Sequence, residues 1–207
     1  GEIYIRGEKV KINSPNHAAK LNIGMVHQHF KLVPDYTITE NIILGVEPIK
    51  KFAGLFPYVD IRNANHKIEE LSKKFGLEVD ATKVIADLTV SMQQRVEILK
   101  VLYREAEILI FDEPTAVLTP QEIEFLLNII KGIRDAGKTI ILITHKLEEI
   151  KKVADRCAVL NKGRLVKVLD VKNTSVNHMA RLMVGREVSF EAAKAPASTN
   201  IHTINSK

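Results

Sequence analysis

The chain has 207 residues, 45% of them hydrophobic and 27% charged, which excludes global disorder and fits one globular domain with a real core and room for a small subdomain. No apolar run approaches the roughly 20 residues that cross a bilayer, so the chain is expected to be soluble by itself; Cys157, the only cysteine, excludes an internal disulfide or cysteine-rich zinc site and points to a cytosolic address. The formal charge of +5 and pI near 9.2 come from bases interleaved with acids, as in Lys67 to Lys74, not from a concentrated phosphate-tracking patch, which argues against a nucleic-acid partner.

Gly1 leads directly into strand-like sequence with no initiator Met and no targeting segment, a start that reads as a cut. Ile3-Tyr4-Ile5 and Lys9 to Ile12 flank Arg6-Gly7-Glu8 and predict a hairpin suited to a sheet edge. A short helix follows over Asn16 to Leu21, then Ile23 to Gln28 reads as a buried strand ending in polar groups. From Lys31 to Arg104 the pattern turns helical. Thr39 to Leu44, Ile61 to Phe75 and Met92 to Tyr103 carry apolar residues at helical spacing, and Met92, Val96, Leu99 and Tyr103 share one face. Phe52 to Tyr58 reads as loop or irregular structure within this helical insertion.

Ile108 to Phe111 is an apolar run without alternation, the pattern of a strand buried on both faces, and Asp112-Glu113-Pro114 stops it. Thr119 then caps a helix, with Pro120 at its first position, Glu122 closing a capping box and Gly137 ending it. Thr139 to Thr144 reads as a second buried strand terminating at His145. Strand, helix and strand form one parallel unit with a right-handed crossover, so Asp112, Glu113 and His145 are expected on one sheet edge. Open parallel sheets bind ligands outside the carboxyl ends of their strands, where these residues fall. Leu147 to Ala154 predicts a helix, Cys157 to Leu160 and Leu165 to Leu169 a hairpin, and Val176 to Met183 a short helix capped by Gly185. Beyond Val188 the composition predicts a mobile tail.

Gly132-Ile133-Arg134-Asp135-Ala136-Gly137-Lys138-Thr139 matches the phosphate-loop pattern G-x-x-x-x-G-K-[ST] letter for letter. A phosphate cradle needs a strand before the glycines and a helix after them, and here the order is inverted. Carbonyl oxygens and the negative end of the helix dipole would face an anion at this place. The segment is read as an ordinary helix end.

Leu88-Thr89-Val90-Ser91-Met92-Gln93-Gln94-Arg95-Val96, then Ile108 to Thr115, then Ile143-Thr144-His145 resemble the motifs of ABC transporter ATPases, in order and over nearly the whole chain. Met25 to Phe30 is similar to the Q-loop, and Asp112 to Pro120 to the Walker B and D-loop segments. The wording of these segments, with Leu182-Met183-Val184-Gly185-Arg186-Glu187, most resembles the first ATPase domain of nucleoside or simple-sugar importers with basic-membrane-protein-type receptors. The resemblance implies an α/β fold, an incomplete P-loop NTPase core with a parallel sheet, an antiparallel edge hairpin and a helical subdomain. Its parts would be 1–30, edge hairpin and Q-loop strand; 31–104, helical subdomain with signature segment; 105–188, second half of the core; and 189–207, flexible tail.

The same resemblance implies ATP and Mg²⁺ as ligands of the intact subunit. Asp112 would act on magnesium mainly through water, Glu113 would polarise the attacking water, His145 would bond the γ-phosphate, and Gln28 would join metal and water to the helical insertion. Thr89, Ser91 and Gln93 of the signature segment would face ATP held by a second ABC ATPase domain. The implied partners are that domain, membrane-spanning permease subunits and, indirectly, an extracytoplasmic substrate receptor, at the cytoplasmic face of the cell membrane. Ser91 stands where a second signature glycine is usual and puts a Cβ where backbone approaches phosphate; Thr119 stands where the D-loop usually has aspartate. The adenine-stacking aromatic and the Walker A strand, loop and helix would precede Gly1, so the chain alone is expected to be inactive. The competing expectation is a non-catalytic ABC-like module that binds no nucleotide and serves as a structural partner.

Overall fold

The computed structural model describes residues 1–52 and 56–184. In chain order they form β1 (Ile3–Ile5), β2 (Glu8–Val10), α1 (Pro15–Lys20), β3 (Ile23–Val26), α2 (Ile38–Ile43), β4 (Ile49–Phe52), β5 (Phe56–Val59), α3 (Ile61–Phe75), a 3₁₀ turn (Ile85–Asp87), α4 (Val90–Tyr103), β6 (Ile108–Asp112), α5 (Pro120–Asp135), β7 (Thr139–Ile143), α6 (Leu147–Val153), β8 (Arg156–Asn161), β9 (Arg164–Asp170) and α7 (Val176–Val184). The expected cap at Gly185, the segment Gly185 to Glu187 and the tail beyond Val188 lie outside the described residues.

The helices start and stop where side-chain chemistry says they should. Thr37 with Glu40 opens α2 and Thr119 with Glu122 opens α5, each as a reciprocal capping box that satisfies otherwise orphaned backbone N–H groups. Asp60 caps α3 by accepting from the Asn63 N–H at 3.2 Å, and Gly76, at φ 65°, ends it. Ala64, Ile68 and Ser72, four residues apart, give α3 its buried stripe. In α4 burial runs nearly all round: Val96, Ile98 and Leu99 are fully buried, and so nearly are Gln94 and Glu97.

The central sheet is parallel, in the order β3-β6-β7, with Val26 beside Phe111 and Phe111 beside Leu142. On one face Val26, Leu109 and Phe111 are buried in the main core, with Ile140 and Leu142 packed against it, under α4 and α5. Helix α4 comes so close to β3 that a Cβ at Gly24 would lie 2.2 Å from Cγ1 of Val101. On the opposite face Ile23, Met25, Ile108 and Ile110 are half-buried, while β7 is open. Ile141 and Ile143 are 47% and 46% exposed, so β7 is not the fully buried strand its apolar run predicts. Its second edge pairs with no strand among the described residues, and nothing among them covers the outer face of Thr139, Ile141 and Ile143.

Phe52 and Phe56 to Tyr58 depart from the expected loop: they belong to an antiparallel pair, β4 with β5, in which Ile49 meets Val59 and Lys51 meets Pro57, and residues 53–55 between them lie outside the described residues. All of β5 is exposed, so no in–out alternation marks it in the sequence, and Pro57 disguises it further. A smaller core, made of Ile150, Val159, Leu169, Val171 and Met179, joins α6, the β8–β9 hairpin and α7.

Candidate functional site

Because β3, β6 and β7 run parallel, their carboxyl ends open on one rim. β6 delivers Asp112 and then Glu113; β7 delivers Thr144 and then His145. The Glu113 N–H donates to the Ile143 carbonyl at 2.9 Å, which ties the two exits together. Its φ of 46° is left-handed, a conformation that costs a residue with a Cβ about 1–3 kcal/mol and clusters at functional sites. The turn aims the carboxylate across the rim, where Oε1 lies 2.9 Å from Nδ1 of His145. The other oxygen, Oε2, is buried and has no hydrogen-bond partner among the described residues. A buried acceptor without a donor is costly and calls for an explanation; at this rim a water or substrate group would supply it.

Asp112, Glu113 and His145 are therefore brought together as the sequence predicts. Gln28 is exposed two residues beyond β3, and no hydrogen bond joins it to the other three among the described residues. The chain just after it is anchored on α4: the Lys31 N–H donates to Oε1 of Glu97 at 2.7 Å, and Nζ of Lys100 donates to the Lys31 carbonyl at 2.8 Å. Burial pushes the Lys100 ammonium below its usual range, with Glu97 acting against that shift.

Thr89 is the N-cap of α4, accepting from the Met92 N–H at 3.4 Å, and its hydroxyl lies 3.4 Å from that of Ser91. The Gln93 amide donates to the Leu88 carbonyl at 3.1 Å, holding the turn before the helix. None of the three bonds to the Glu113–His145 pair among the described residues. The sequence reading missed Gln94, which is 4% exposed and donates to the Pro114 carbonyl, so α4 touches the residue directly after Glu113. It also missed Glu149, four residues past His145, which is 4% exposed. A carboxylate in an otherwise apolar helix stripe was the only sequence signal.

The phosphate-loop look-alike behaves as a helix end. Gly137 has φ 88°, its N–H donates to the Arg134 carbonyl at 2.8 Å, and the Lys138 N–H donates to the Ile133 carbonyl at 3.3 Å. Nζ of Lys138 donates to the Ala106 carbonyl at 2.7 Å, at the end of the sheet opposite to Glu113 and His145.

The residues at the rim suit a magnesium ion held largely through water: two adjacent carboxylates, one with an unengaged buried oxygen, and an exposed amide in Gln28. The Glu113 carboxylate can polarise a water, while the imidazole, its Nδ1 engaged by Glu113, can present an N–H to an anion from Nε2.

Solved structures with the same fold are ATP-binding cassettes. The dimeric post-hydrolysis state of the cassette MJ0796 bound to ADP and Pi aligns at TM-score 0.66 with 24% identity, covering 84% of this chain and 75% of that one. CbiO1 from Clostridium perfringens, part of the ABC transporter complex CbiONQ, aligns at TM-score 0.65 with 24% identity, covering 81% and 64%. The ABC transporter family profile matches residues 1–116, and the chain belongs to that family. It is 55% identical over 197 residues to the guanosine import ATP-binding protein NupO of Bacillus subtilis, and 52% identical over 197 residues to the nucleoside import ATP-binding protein NupA of Lactococcus lactis subsp. cremoris. Each match takes in 95% of this chain and 38% of the relative, so the chain spans well under half the length of these proteins.

Proposed function

We propose that this chain is a catalytic portion of the nucleotide-binding subunit of an ABC importer, which couples ATP hydrolysis to uptake of a nucleoside or simple sugar. The observation that carries the reading is the Glu113–His145 contact of 2.9 Å at the strand ends, with Oε2 of Glu113 buried and unengaged beside it. The substrate class rests on similarity to the guanosine and nucleoside import proteins.

Glu113 accepts a hydrogen bond from the attacking water through Oε2 and draws off its proton as the new O–P bond forms and the bridging bond from the γ-phosphorus to the β-phosphate oxygen breaks, ADP leaving with that oxygen. His145 donates to a γ-phosphate oxygen from Nε2 while Nδ1 donates to Glu113, which requires both ring nitrogens protonated in that state. The ring so placed offsets charge on the phosphate and fixes the carboxylate that faces the water. Asp112 and Gln28 would hold the magnesium ion, which would supply positive charge against the phosphates. Thr89, Ser91 and Gln93, at the head of α4, meet ATP held by a second ATPase domain.

The chain by itself binds ATP weakly, because no strand–glycine loop–helix order occurs among the described residues to cradle the phosphates. The face and second edge of β7, uncovered among the described residues, support packing by a further strand and helix of the longer subunit. Residues 31–104 act as the helical subdomain, and the exposed Leu44, Val46, Ile49, Phe56 and Tyr58 there offer an apolar surface to a membrane-spanning permease subunit. No helix among the described residues is long and apolar enough to cross a membrane, which fits a peripheral place on the cytoplasmic face.

The test is Mg-ATP turnover by the intact subunit with Glu113→Gln. Turnover should fall by about 10²- to 10⁴-fold with ATP binding retained. An unchanged rate would remove Glu113 from the chemistry and leave the non-catalytic partner as the better account.

A further inference from the structure

Thr115 follows Glu113 by two residues at the exit of β6, and Thr144 precedes His145 by one at the exit of β7. Both hydroxyls donate to one carboxylate, that of Glu149 in α6: Thr115 Oγ1 to Oε1 at 2.6 Å and Thr144 Oγ1 to Oε2 at 3.1 Å. Lys146 closes the arrangement. Its Nζ reaches the Thr115 carbonyl at 2.9 Å and the Thr115 hydroxyl at 3.1 Å, lies 3.5 Å from Oε1 of Glu149, and its N–H donates to the Thr144 hydroxyl at 3.0 Å. Glu149 is 4% exposed and Thr115 is completely buried.

A carboxylate this buried is tolerated only when its oxygens are hydrogen-bonded and its charge is balanced, and here both conditions are met by residues next to the Glu113–His145 pair. Each oxygen holds a different strand exit. The carboxylate therefore fixes the distance between the exits, and with it the distance between the two side chains that hang from them.

We propose that Glu149 is a positioning residue for ATP hydrolysis, holding the exits of β6 and β7 so that Glu113 and His145 meet in reactive geometry. It touches neither substrate nor water, and the proposal rests on the catalytic reading of that pair. Misplacing a reacting group by about 1 Å costs on the order of 10²-fold in rate without weakening binding.

In the intact subunit, Glu149→Ala should lower kcat by about 10²-fold while the KM for ATP and the affinity for a non-hydrolysable ATP analogue stay within about twofold. Glu149→Gln keeps the shape and one acceptor and should fall between Ala and wild type. In a His145→Ala background, Glu149→Ala should slow turnover by less than about threefold more, because the group it positions is already gone. Full kcat in Glu149→Ala, or the same fold-loss with and without His145, overturns the proposal. Should Glu149→Ala not fold, Glu149→Gln and Thr144→Val carry the same comparison. Wild-type turnover in His145→Ala overturns the catalytic reading and this proposal with it, whereas a slow His145→Ala beside a fast Glu149→Ala overturns the proposal alone.

Discussion

Nδ1 of His145 and Oε1 of Glu113 lie 2.9 Å apart although 32 positions separate them in the chain. Two neighbouring parallel strands, Asp112 in register with Ile143, create that contact at their exits. The backbone of Glu113 bends into a left-handed conformation to make it. Strain held at a rim that also leaves a carboxylate oxygen buried and unengaged marks a place shaped for a ligand.

Relief of that strain should stabilise the protein while removing its chemistry. Glu113→Gly tolerates a φ of 46° and deletes the unengaged buried oxygen. It is expected to gain about 1 kcal/mol net of glycine's entropy cost and to abolish ATP turnover. Thermal denaturation reads the first part; a lower melting temperature would show that the contact with His145 outweighs the strain.

Close approach of α4 to β3 makes Gly24 intolerant of a side chain. Gly24→Ala should cost about 1–3 kcal/mol through collision with Val101. Adding Val101→Ala should recover part of the loss, since Cγ1 of Val101 is the atom met at 2.2 Å while Cβ of Ala106 stays at 3.1 Å. Urea denaturation of the single and double variants settles it, and an unaffected single variant would mean that α4 does not pack on β3 as described.

The capping box of α5 contributes in the same measurable way. Thr119→Ala removes the acceptor for the Glu122 N–H and the hydroxyl that Glu122 accepts from, and should cost about 1 kcal/mol. A change indistinguishable from zero in chemical denaturation would mean that the first turn of α5 frays in solution.

Stability should fall in acid with a known sign. The Thr119 backbone N–H holds the Glu122 carboxyl below the usual range, helped by the hydroxyls of Ser91 and Thr119, and the Thr37 backbone N–H does the same for Glu40. A carboxyl lowered in the folded state contributes stability that is present above its unfolded value, about 4.3. That contribution is lost as pH drops through the lower folded value. Melting temperature should therefore decline below about pH 4.5, and Glu122→Gln should shrink the decline. An identical acid dependence in that variant would contradict the assignment.

Much of this was legible in the sequence because local chemistry decides it. Thr119-Pro120-Gln121-Glu122 marks a helix start and Gly137 its end, and the inverted order of elements around Lys138 rules out the phosphate loop from the sequence alone. The parallel crossover placed Asp112, Glu113 and His145 on one rim. What stayed hidden depends on tertiary partners. The apolar run of β6 reads as buried on both faces and that of β7 as a second buried strand, yet burial is set by what packs on them: Leu109 and Phe111 are buried while Ile108 and Ile110 are only half-buried, and Ile141 and Ile143 remain open. The β4–β5 pair is exposed along β5 and carries Pro57, so neither alternation nor composition betrays it. Glu149 acquires meaning only when two threonines from separate strand exits converge on it.

A double-mutant cycle in ATP turnover, with Glu113→Gln, His145→Ala and both together in the intact subunit, tests most directly that the two side chains act as one unit. The double variant should be no slower than the slower single one, because either change alone disables the pair. Losses that multiply, or a His145→Ala subunit as fast as wild type, would contradict it.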